Sequence, residues 1–261
     1  MKHFCYLLIL LTLSRFSYAQ ESDPHIKVKR VKSIEFRTGF VQQKEGNLHN
    51  KVFNGINYTF LYSNTLQKKN LSLLNIAIGN AHLKTEIEKS FSSALVNIDL
   101  DYHYLFKVYQ KNKWEIHSGI GSNLNYNIGY YWIWDESHLY WANFLSLNFS
   151  QRFSYETNNN NRIVLDFSVP LFLFLSRPEN ERNYKIDDFS FSGIINSFHY
   201  QPETRFLTNS NFINISMEYR YLRKNSFQPF LSYSFNYFNL ETPYSNSAKS
   251  IQHLVGLKWD L

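Results

Sequence analysis

The chain has almost no cysteine. Its one cysteine, Cys5, lies in an N-terminal segment that we predict is removed. Neither disulfides nor cysteine metal sites are then available to hold the mature protein together. Because no small residues of the lipobox type precede Cys5, we expect no lipid attachment at this position.

Long hydrophobic runs are also missing. A helix that spans a bilayer needs about 18 or more apolar residues in succession, and the longest run beyond the N-terminal segment extends only from Val169 to Leu175. The mean hydropathy is −0.38, yet 18% of the residues are aromatic. This combination excludes helical membrane proteins. Aromatic residues spread over alternating stretches are typical of a β-barrel wall, in which half of the side chains face water.

The charge surplus is small. The formal net charge is +6, and it falls to +4 when Lys2 and Arg15 leave with the N-terminal segment. A dispersed surplus of this size does not indicate a nucleic-acid partner. The sequence also contains neither a phosphate-binding glycine loop nor a recognisable nucleophile elbow around a serine.

The N-terminus has the pattern of a secretory signal. Lys2 and His3 precede the apolar run 4–13, and Ser17-Tyr18-Ala19 supplies small residues before a predicted cleavage site at Gln20. We therefore predict a signal peptide over 1–19. A periplasmic leader over 20–31 follows it, which includes part of a basic stretch. A buried N-terminal strand or helix is the alternative interpretation of this apolar run.

The last eleven residues alternate between an apolar and a polar face. One face carries Ile251, His253, Val255, Leu257, Trp259 and Leu261, and the other carries Gln252, Leu254, Gly256, Lys258 and Asp260. A period of two is the signature of a strand between two different media. An apolar outer face and a charged inner face predict a barrel wall in lipid.

This C-terminus resembles the assembly signal of Gram-negative outer-membrane β-barrel proteins of the small, porin-like class. Gly256, Trp259 and Leu261 match the signal, while Leu254 stands where the family tends to have a polar residue. The resemblance implies a place in the cell outer membrane. It also implies as partners the outer-membrane lipid with lipopolysaccharide, the barrel assembly machinery and periplasmic chaperones, and it implies no cofactor.

We predict an all-β fold, a closed antiparallel transmembrane up-and-down barrel that forms a single domain over 32–261. Ten alternating stretches are expected to be strands: 32–42, 51–62, 70–79, 94–109, 114–131, 140–155, 162–177, 205–222, 227–241 and 250–261. Eight and twelve strands are the alternatives. The count depends on 178–204, where 188–195 alternates weakly; we interpret it as an extracellular hairpin or folded-over loop.

One predicted strand contains a proline. In 162–177 the residues expected to face outward are Ile163, Leu165, Phe167, Val169, Leu171, Leu173 and Leu175. Pro170, expected to face inward, cannot donate a hydrogen bond to a neighbouring strand. We therefore expect a bulge or irregular pairing there.

The connections alternate in length. The short ones are 63–69, 110–113, 156–161 and 223–226, and the long ones are 80–93, 132–139, 178–204 and 242–249. In this class the short turns lie in the periplasm and the long loops outside. With an even strand count, both termini are then periplasmic.

Charged residues are predicted on the inner face of most strands. Antiparallel register across the short turns pairs Lys107 with Glu115 and Arg152 with Asp166, and barrel closure puts Lys258 near Glu35. The first of these registers also sets Gly119 opposite His103 and Gly121 opposite Asp101. The simplest interpretation is that the charges neutralise one another and fill a narrow lumen, because an unpaired buried charge is costly.

A second interpretation gives part of this set a chemical role. Asp99, Asp101, His103 and His117 are predicted to share the lumen, where two carboxylates and two imidazoles suit acid/base catalysis or a divalent ion. The spacing is weakly specific, since any polar lumen produces it. We therefore predict no metal or cofactor site.

The outer loop predicted over 132–139 contains another group of acidic and histidine residues. Asp135, Glu136 and His138 lie in it, at the height where ten-stranded outer-membrane proteases carry such residues. No motif of those proteases matches this chain residue by residue, and we interpret these three residues as part of a solvated loop.

Two functions from different classes follow. The first is a non-enzymatic outer-membrane barrel with a structural, binding or small-channel role through its lumen and outer loops. The second is an outer-membrane embedded hydrolase or lipid-modifying enzyme with an acidic and histidine site at the rim. Barrels of eight to ten strands have interiors largely filled by side chains, so transport of large solutes is not expected.

Deletion of the last three residues tests the assembly signal. Because it removes Trp259 and Leu261 together with the end of the closing strand, the truncated protein should remain in the periplasm, aggregated or degraded. The measurement is the outer-membrane yield after cell fractionation. A normal yield would show that these residues are not the signal.

Overall fold

The computed structural model describes most of the predicted barrel. The described residues are 28–45, 51–85, 92–133, 136–157, 161–177, 203–206, 210–221, 229–240 and 247–261, with Ser190, Ser192, Gly193, Asn196 and His199. Almost all of them are in strands. No helix in this part of the chain is long and apolar enough to cross a bilayer.

Eleven strands make up the described fold. They are β1 (Lys29–Glu45), β2 (Val52–Gln67), β3 (Leu71–Lys84), β4 (Ser92–Lys111), β5 (Trp114–Ile133), β6 (Glu136–Glu156), β7 (Asn161–Ser176), β8 (Glu203–Phe206), β9 (Ser210–Tyr221), β10 (Phe230–Leu240) and β11 (Ala248–Asp260). All of their pairings are antiparallel.

The sheet closes into a barrel. Each strand from β1 to β7 pairs with the next, β7 pairs with β9, β9 with β10, and β10 with β11. β1 pairs with β11 from Ser33↔Asp260 to Glu45↔Ala248, which joins the first strand to the last. A closed ring satisfies the backbone of every strand and leaves no edge.

The number of wall positions is ten. β8 pairs with the second half of β7, from Phe172↔Phe206 to Leu175↔Glu203, and β9 pairs with the first half, up to Ser168↔Asn214. These two short strands therefore share one position in the wall. They correspond to the single strand predicted over 205–222, and the prediction of a ten-stranded antiparallel barrel is confirmed.

Several element ends differ from the predicted ones. β1 begins at Lys29, inside the predicted leader 20–31, because residues 29–31 continue the ladder opposite β2. The first short connection shrinks from 63–69 to 68–70, since β2 runs to Gln67. We call the end of the barrel that carries the chain termini and this turn the terminal end, and the opposite end the loop end.

The prediction of a long loop over 132–139 was wrong. β5 continues to Ile133 and β6 starts at Glu136, and the ladder between them extends to the pair Ile133↔Glu136. Only 134–135 separate the two strands, so Glu136 and His138 belong to a strand and not to a solvated loop. Asp135 lies outside the described residues.

The outward-facing side chains form an apolar belt. The C-terminal strand has the predicted faces, with Val255 and Leu257 exposed and Leu254 buried. The exposed large side chains of the belt include Phe36, Phe40, Ile56, Phe60, Ile76, Ile78, Val96, Ile98, Leu100, Phe106, Ile120, Leu147, Leu165, Met217 and Leu231. A continuous surface of this kind has no counterpart on a water-soluble barrel and is complementary to lipid.

The irregularity expected at Pro170 is present. On the β6 side Asn148 pairs with Pro170 and Leu147 with Phe172, so Leu171 has no partner in that ladder. One extra residue reverses the alternation beyond it. Leu171 is exposed, whereas Leu173 and Leu175 are buried. The prediction that these two leucines face outward was therefore wrong.

A second bulge shifts the ladder between β4 and β5. These strands are joined by a tight turn at Asn112 and Lys113, and Asn112 has a φ of 54°, a conformation that asparagine tolerates. Lys107 pairs with His117 and Tyr109 with Ile116, which leaves Val108 as the extra residue. The predicted four-residue turn, 110–113, is two residues too long, and every pairing derived from it was displaced.

The glycines of β5 show the effect of that displacement. Gly119 lies opposite Leu105 and Gly121 opposite His103, instead of His103 and Asp101. A Cβ on Gly121 would lie 2.2 Å from Nδ1 of His103. Gly121 is thus the residue that makes room for the imidazole.

Two clusters of buried apolar side chains lie in the lumen at the loop end. One cluster contains Val41, Phe53, Ala81, Leu83, Leu95, Tyr131, Tyr140 and Ala142. The other contains Leu173, Leu175, Phe212, Leu240 and Ala248, with Phe144 and Phe238 against it. We call the two clusters together the apolar layer. Edge-to-face contacts between aromatic rings, such as Phe53 with Tyr131 at 5.0 Å, tie the strands together across this layer.

Gly39 should be essential for the seam between β1 and β11. A Cβ at this position would lie 1.9 Å from the backbone oxygen of His253, so Gly39→Ala should destabilise the barrel by about 1–3 kcal/mol, as overpacking typically does. The measurement is the urea midpoint of the refolded protein. Gly79→Ala is the matched control, because its Cβ would meet a movable side-chain atom, Oγ1 of Thr59, at 3.0 Å. Equal midpoints for both variants would contradict this reading of the seam.

Candidate functional site: a polar chamber in the lumen

A polar chamber lies in the lumen beneath the apolar layer. Its volume is about 220 Å³. The strands contribute short amide side chains at inward positions, namely Asn57, Asn75, Asn97, Asn123, Asn125, Asn127, Asn214, Asn236 and Gln252. Arg37, Asp99, Asp101, His103, Arg152 and Asp166 also line it. Such a cavity is large enough to hold several water molecules or a small polar solute.

Three of the four predicted acid/base candidates meet in this chamber. Asp99, Asp101 and His103 occupy alternate positions of β4 and line the same cavity. Each has a neutral partner. Asn125 donates to Asp99, Nδ2 of Asn123 donates to Oδ1 of Asp101 at 2.5 Å, and Nδ1 of His103 lies 3.0 Å from Oγ of Ser150.

The fourth candidate lies elsewhere. His117 does not line the chamber but a smaller cavity nearer the terminal end. Its Nε2 is 3.7 Å from Oε1 of Glu115. The structure therefore does not assemble the four residues into one group. Within the described ranges, no three His, Cys, Asp or Glu side chains are grouped so that they could hold a metal ion.

Arg152 and Asp166 face each other across β6 and β7. Nε of Arg152 donates to Oδ1 of Asp166 at 2.6 Å, and Nη2 donates to Oδ2 at 2.7 Å. The two Cα atoms are direct cross-strand partners, which is the register predicted across the 156–161 turn. Two parallel bonds from one guanidinium to one carboxylate are the strongest form of this contact.

Lys107 and Glu115 are also in contact, although their backbones are not opposite each other. Nζ of Lys107 lies 2.9 Å from Oε1 of Glu115, while Glu115 is the backbone partner of Gln110. The lysine side chain is long enough to reach diagonally across the ladder. Glu115 also accepts from Nη2 of Arg162 at 3.1 Å and from Nε2 of Gln67 at 3.3 Å.

The predicted pair at the closing seam, Glu35 with Lys258, is replaced by contacts of each residue with other partners. Glu35 and Lys258 are backbone partners, but Glu35 accepts two bonds from Arg37, at 2.5 and 2.9 Å, and one from the hydroxyl of Ser232. Lys258 instead reaches past β10 to Glu218. Small residues on the way, such as Ser232, leave the space for this reach.

Sequence reasoning did not identify Glu218 as the centre of a charge cluster. Besides Lys258, it accepts from Nε of Arg220 at 2.9 Å and from Nη2 at 2.6 Å. Glu218 and Arg220 are alternate residues of β9, so the period of two places both in the lumen. The available signal was this alternation, but the partner two strands away was not readable from adjacent-strand register.

Gly256 has a local role at the same seam. A Cβ there would lie 2.6 Å from Oγ of Ser232 and 2.7 Å from Oε1 of Glu35. The glycine of the C-terminal motif thus leaves the space in which Glu35 is bound. Trp259 and Leu261, by contrast, follow it on the outward face, where Leu261 is 71% exposed.

Comparisons with known proteins bear on the fold alone. No family model and no curated protein matches this sequence. Solved structures that resemble it include the outer membrane protease OmpT from Escherichia coli, with 9% identity, a TM-score of 0.49, and coverage of 92% of this chain and 99% of that chain. The translocator domain of autotransporter NalP from Neisseria meningitidis has 9% identity and a TM-score of 0.38, covering 96% of this chain and 94% of that chain.

A third similar structure is Neisserial surface protein A, with 8% identity, a TM-score of 0.37, and coverage of 88% of this chain and 97% of that chain. These proteins differ from one another in their described roles. At such identities and TM-scores they carry no argument about the activity of this chain.

A double-mutant cycle tests the contact between Arg152 and Asp166. Asp166→Ala leaves a partly desolvated guanidinium without its bidentate partner, at a cost of about 3–5 kcal/mol if the pair were fully buried. We expect a smaller loss because the pair borders a chamber. Arg152→Ala with Asp166→Ala should recover part of it. The urea midpoints of both single variants and the double variant provide the measurement, and strict additivity would show that the residues do not interact.

Proposed function

We propose that this chain is an integral outer-membrane β-barrel with a non-enzymatic role, structural or in binding, and with a lumen closed to steady ion flow. One observation carries the proposal: the chamber lies between the apolar layer and a set of ion pairs. The apolar layer occupies the loop end of the lumen. The contacts of Glu35, Glu115, Asp166 and Glu218 occupy the lumen towards the terminal end.

The surface chemistry supports insertion in a membrane. The outward belt would place apolar side chains against lipid on every side of the barrel. Exposed aromatic residues such as Trp114 and Tyr221 flank the belt at the terminal end, where tyrosine and tryptophan suit a membrane interface. Lipid and lipopolysaccharide are therefore the proposed partners of the outer face.

The chain termini support the outer membrane as the compartment. The N-terminal sequence has the pattern of a cleaved export signal, and the C-terminus ends in the half-buried Trp259 and the exposed Leu261. These features suit delivery by periplasmic chaperones and recognition by the barrel assembly machinery. In this topology the terminal end faces the periplasm and the loop end faces outward.

An enzyme at the rim is the less favoured function. A rim site requires its acidic and histidine groups near the loop end, whereas Asp99, Asp101 and His103 lie deeper, in a chamber beneath the apolar layer. Their hydrogen bonds to neutral side chains hold them against the wall. A hydrolase would need these groups to reach a substrate that the apolar layer keeps out.

Planar-bilayer recording tests the closed lumen. The refolded barrel, after flotation with liposomes confirms its insertion, should give no steady step in conductance in 1 M KCl. As a matched pair, Leu83→Ser should loosen the apolar layer and produce brief openings, whereas Ile78→Ser changes an exposed position on the outside of the same strand and should not. A steady conductance of the unmodified protein would overturn the proposal of a closed lumen.

A further inference from the structure

A second cavity lies at the terminal end of the lumen, and its lining is strongly basic. Its volume is about 50 Å³. The polar side chains around it are those of Lys29, Thr65, Gln67, His117, Arg152, Arg162 and Arg220. No carboxylate is among the described residues that line it. We call this cavity the basic chamber.

The backbone register places basic residues side by side here. Lys107 is the cross-strand partner of His117, and His117 is the partner of Arg152. Arg162 and Arg220 are direct partners on β7 and β9. Cations opposite each other in a ladder destabilise a sheet unless negative charge compensates them.

The neighbouring carboxylates already have cationic partners. Glu115 binds Lys107 and Arg162. Glu218 binds Lys258 and Arg220. Each carboxylate is thus shared between two cations, and neither lines the cavity.

Two side chains that line the basic chamber have buried nitrogens without a hydrogen-bond partner. His117 is 1% exposed, and neither of its ring nitrogens makes a hydrogen bond. Nε of Arg162 is likewise buried without an acceptor. Buried polar groups are nearly always bonded in folded proteins, and leaving them unbonded is costly. These two residues are therefore poised to receive an acceptor inside the cavity.

We propose that the basic chamber binds a phosphate oxyanion. The guanidinium groups provide planar sets of N–H donors that match phosphate oxygens, and the imidazole adds a donor from β5. A volume of about 50 Å³ exceeds what one water requires and suits a small anion. This inference deepens and rests on the proposed binding role of the lumen, since it names the class of ligand.

The arrangement also relates the two cavities. Arg152 lines both the polar chamber and the basic chamber, and its bond to Asp166 lies between them. An anion bound at the terminal end adds negative charge next to this guanidinium. The basic chamber thus lies nearest the terminal end of the lumen. Lys29, the exposed first residue of β1, is among its lining residues.

The test measures anion binding to the refolded full-length barrel in a neutral detergent. Titration calorimetry with sodium phosphate, against sodium chloride of equal ionic strength, should show saturable binding of phosphate alone. Arg162→Gln should weaken it by at least about tenfold, because it removes charge-assisted hydrogen bonds. Arg205→Gln is the matched control: Arg205 lies on β8, pairs with Glu203, and does not line the basic chamber, so binding should be unchanged.

A variant that is expected to raise the phosphate affinity separates loss of the site from misfolding. Glu115→Gln removes the carboxylate that competes for Arg162, so phosphate should bind more tightly than to the unmodified protein. Short-chain phosphatidylglycerol, titrated in the same detergent, distinguishes a lipid headgroup from the free ion as the source of the phosphate. If phosphate or the lipid binds to the unmodified protein and Arg162→Gln abolishes this binding, the result supports an anion site in the basic chamber.

Two results would overturn the inference. One is phosphate binding no stronger than the effect of chloride at equal ionic strength, with no binding of the lipid. The other is binding that Arg162→Gln and Glu115→Gln leave unchanged. Neither result would alter the conductance of the barrel, so failure here is distinguishable from failure of the proposed closed lumen.

Discussion

Pairing of the first strand with the last is the constraint on which the rest of the structure depends. β1 pairs with β11 from Ser33 to Glu45, so every strand position of the wall has a neighbour on both sides. Only with that ring complete can the outer surface be as apolar as it is, since lipid offers no hydrogen bonds to a free strand edge. The alternation of side chains then divides the protein into a belt and a lumen.

The lumen is organised in layers along the barrel axis. Apolar side chains fill the loop end, amides surround the polar chamber, and charges concentrate towards the terminal end. Buried ion pairs are weak evidence for stability, because removing charges from water costs nearly what their attraction returns. Their effect here is to specify geometry. The bidentate contact of Arg152 with Asp166, for example, holds β6 and β7 in a single register.

Alternation in the sequence was enough to predict the class, the number of wall positions and most inward residues. It failed where the chain inserts one extra residue. Val108 and Leu171 each reverse the phase of a strand, and nothing in a period of two reveals in advance where that happens. Pro170 indicated an irregularity because proline has no N–H to donate to a neighbouring strand. No comparable sequence feature marks Val108.

The candidate site was partly predictable for a related reason. Asp99, Asp101 and His103 share a strand, so their common face followed from spacing. Contacts between strands depend on turn length and on side-chain reach. Lys258 illustrates the effect of side-chain reach. Its side chain does not pair with its backbone partner Glu35 but binds Glu218 on β9, a contact that local sequence does not indicate.

The contacts at the seam have a consequence for the order of events during assembly. Glu35 on β1 is bound by Ser232 on β10, and Lys258 on β11 is bound by Glu218 on β9. The first contact can form only when the two ends of the sheet have met. An unclosed sheet therefore carries a carboxylate that lacks one of its donors, in the interior of what will be the lumen. Closure of the wall therefore also completes the hydrogen bonds of the Glu35 carboxylate. A barrel that has not closed differs from a closed one in the bonding of this charge as well as in its shape.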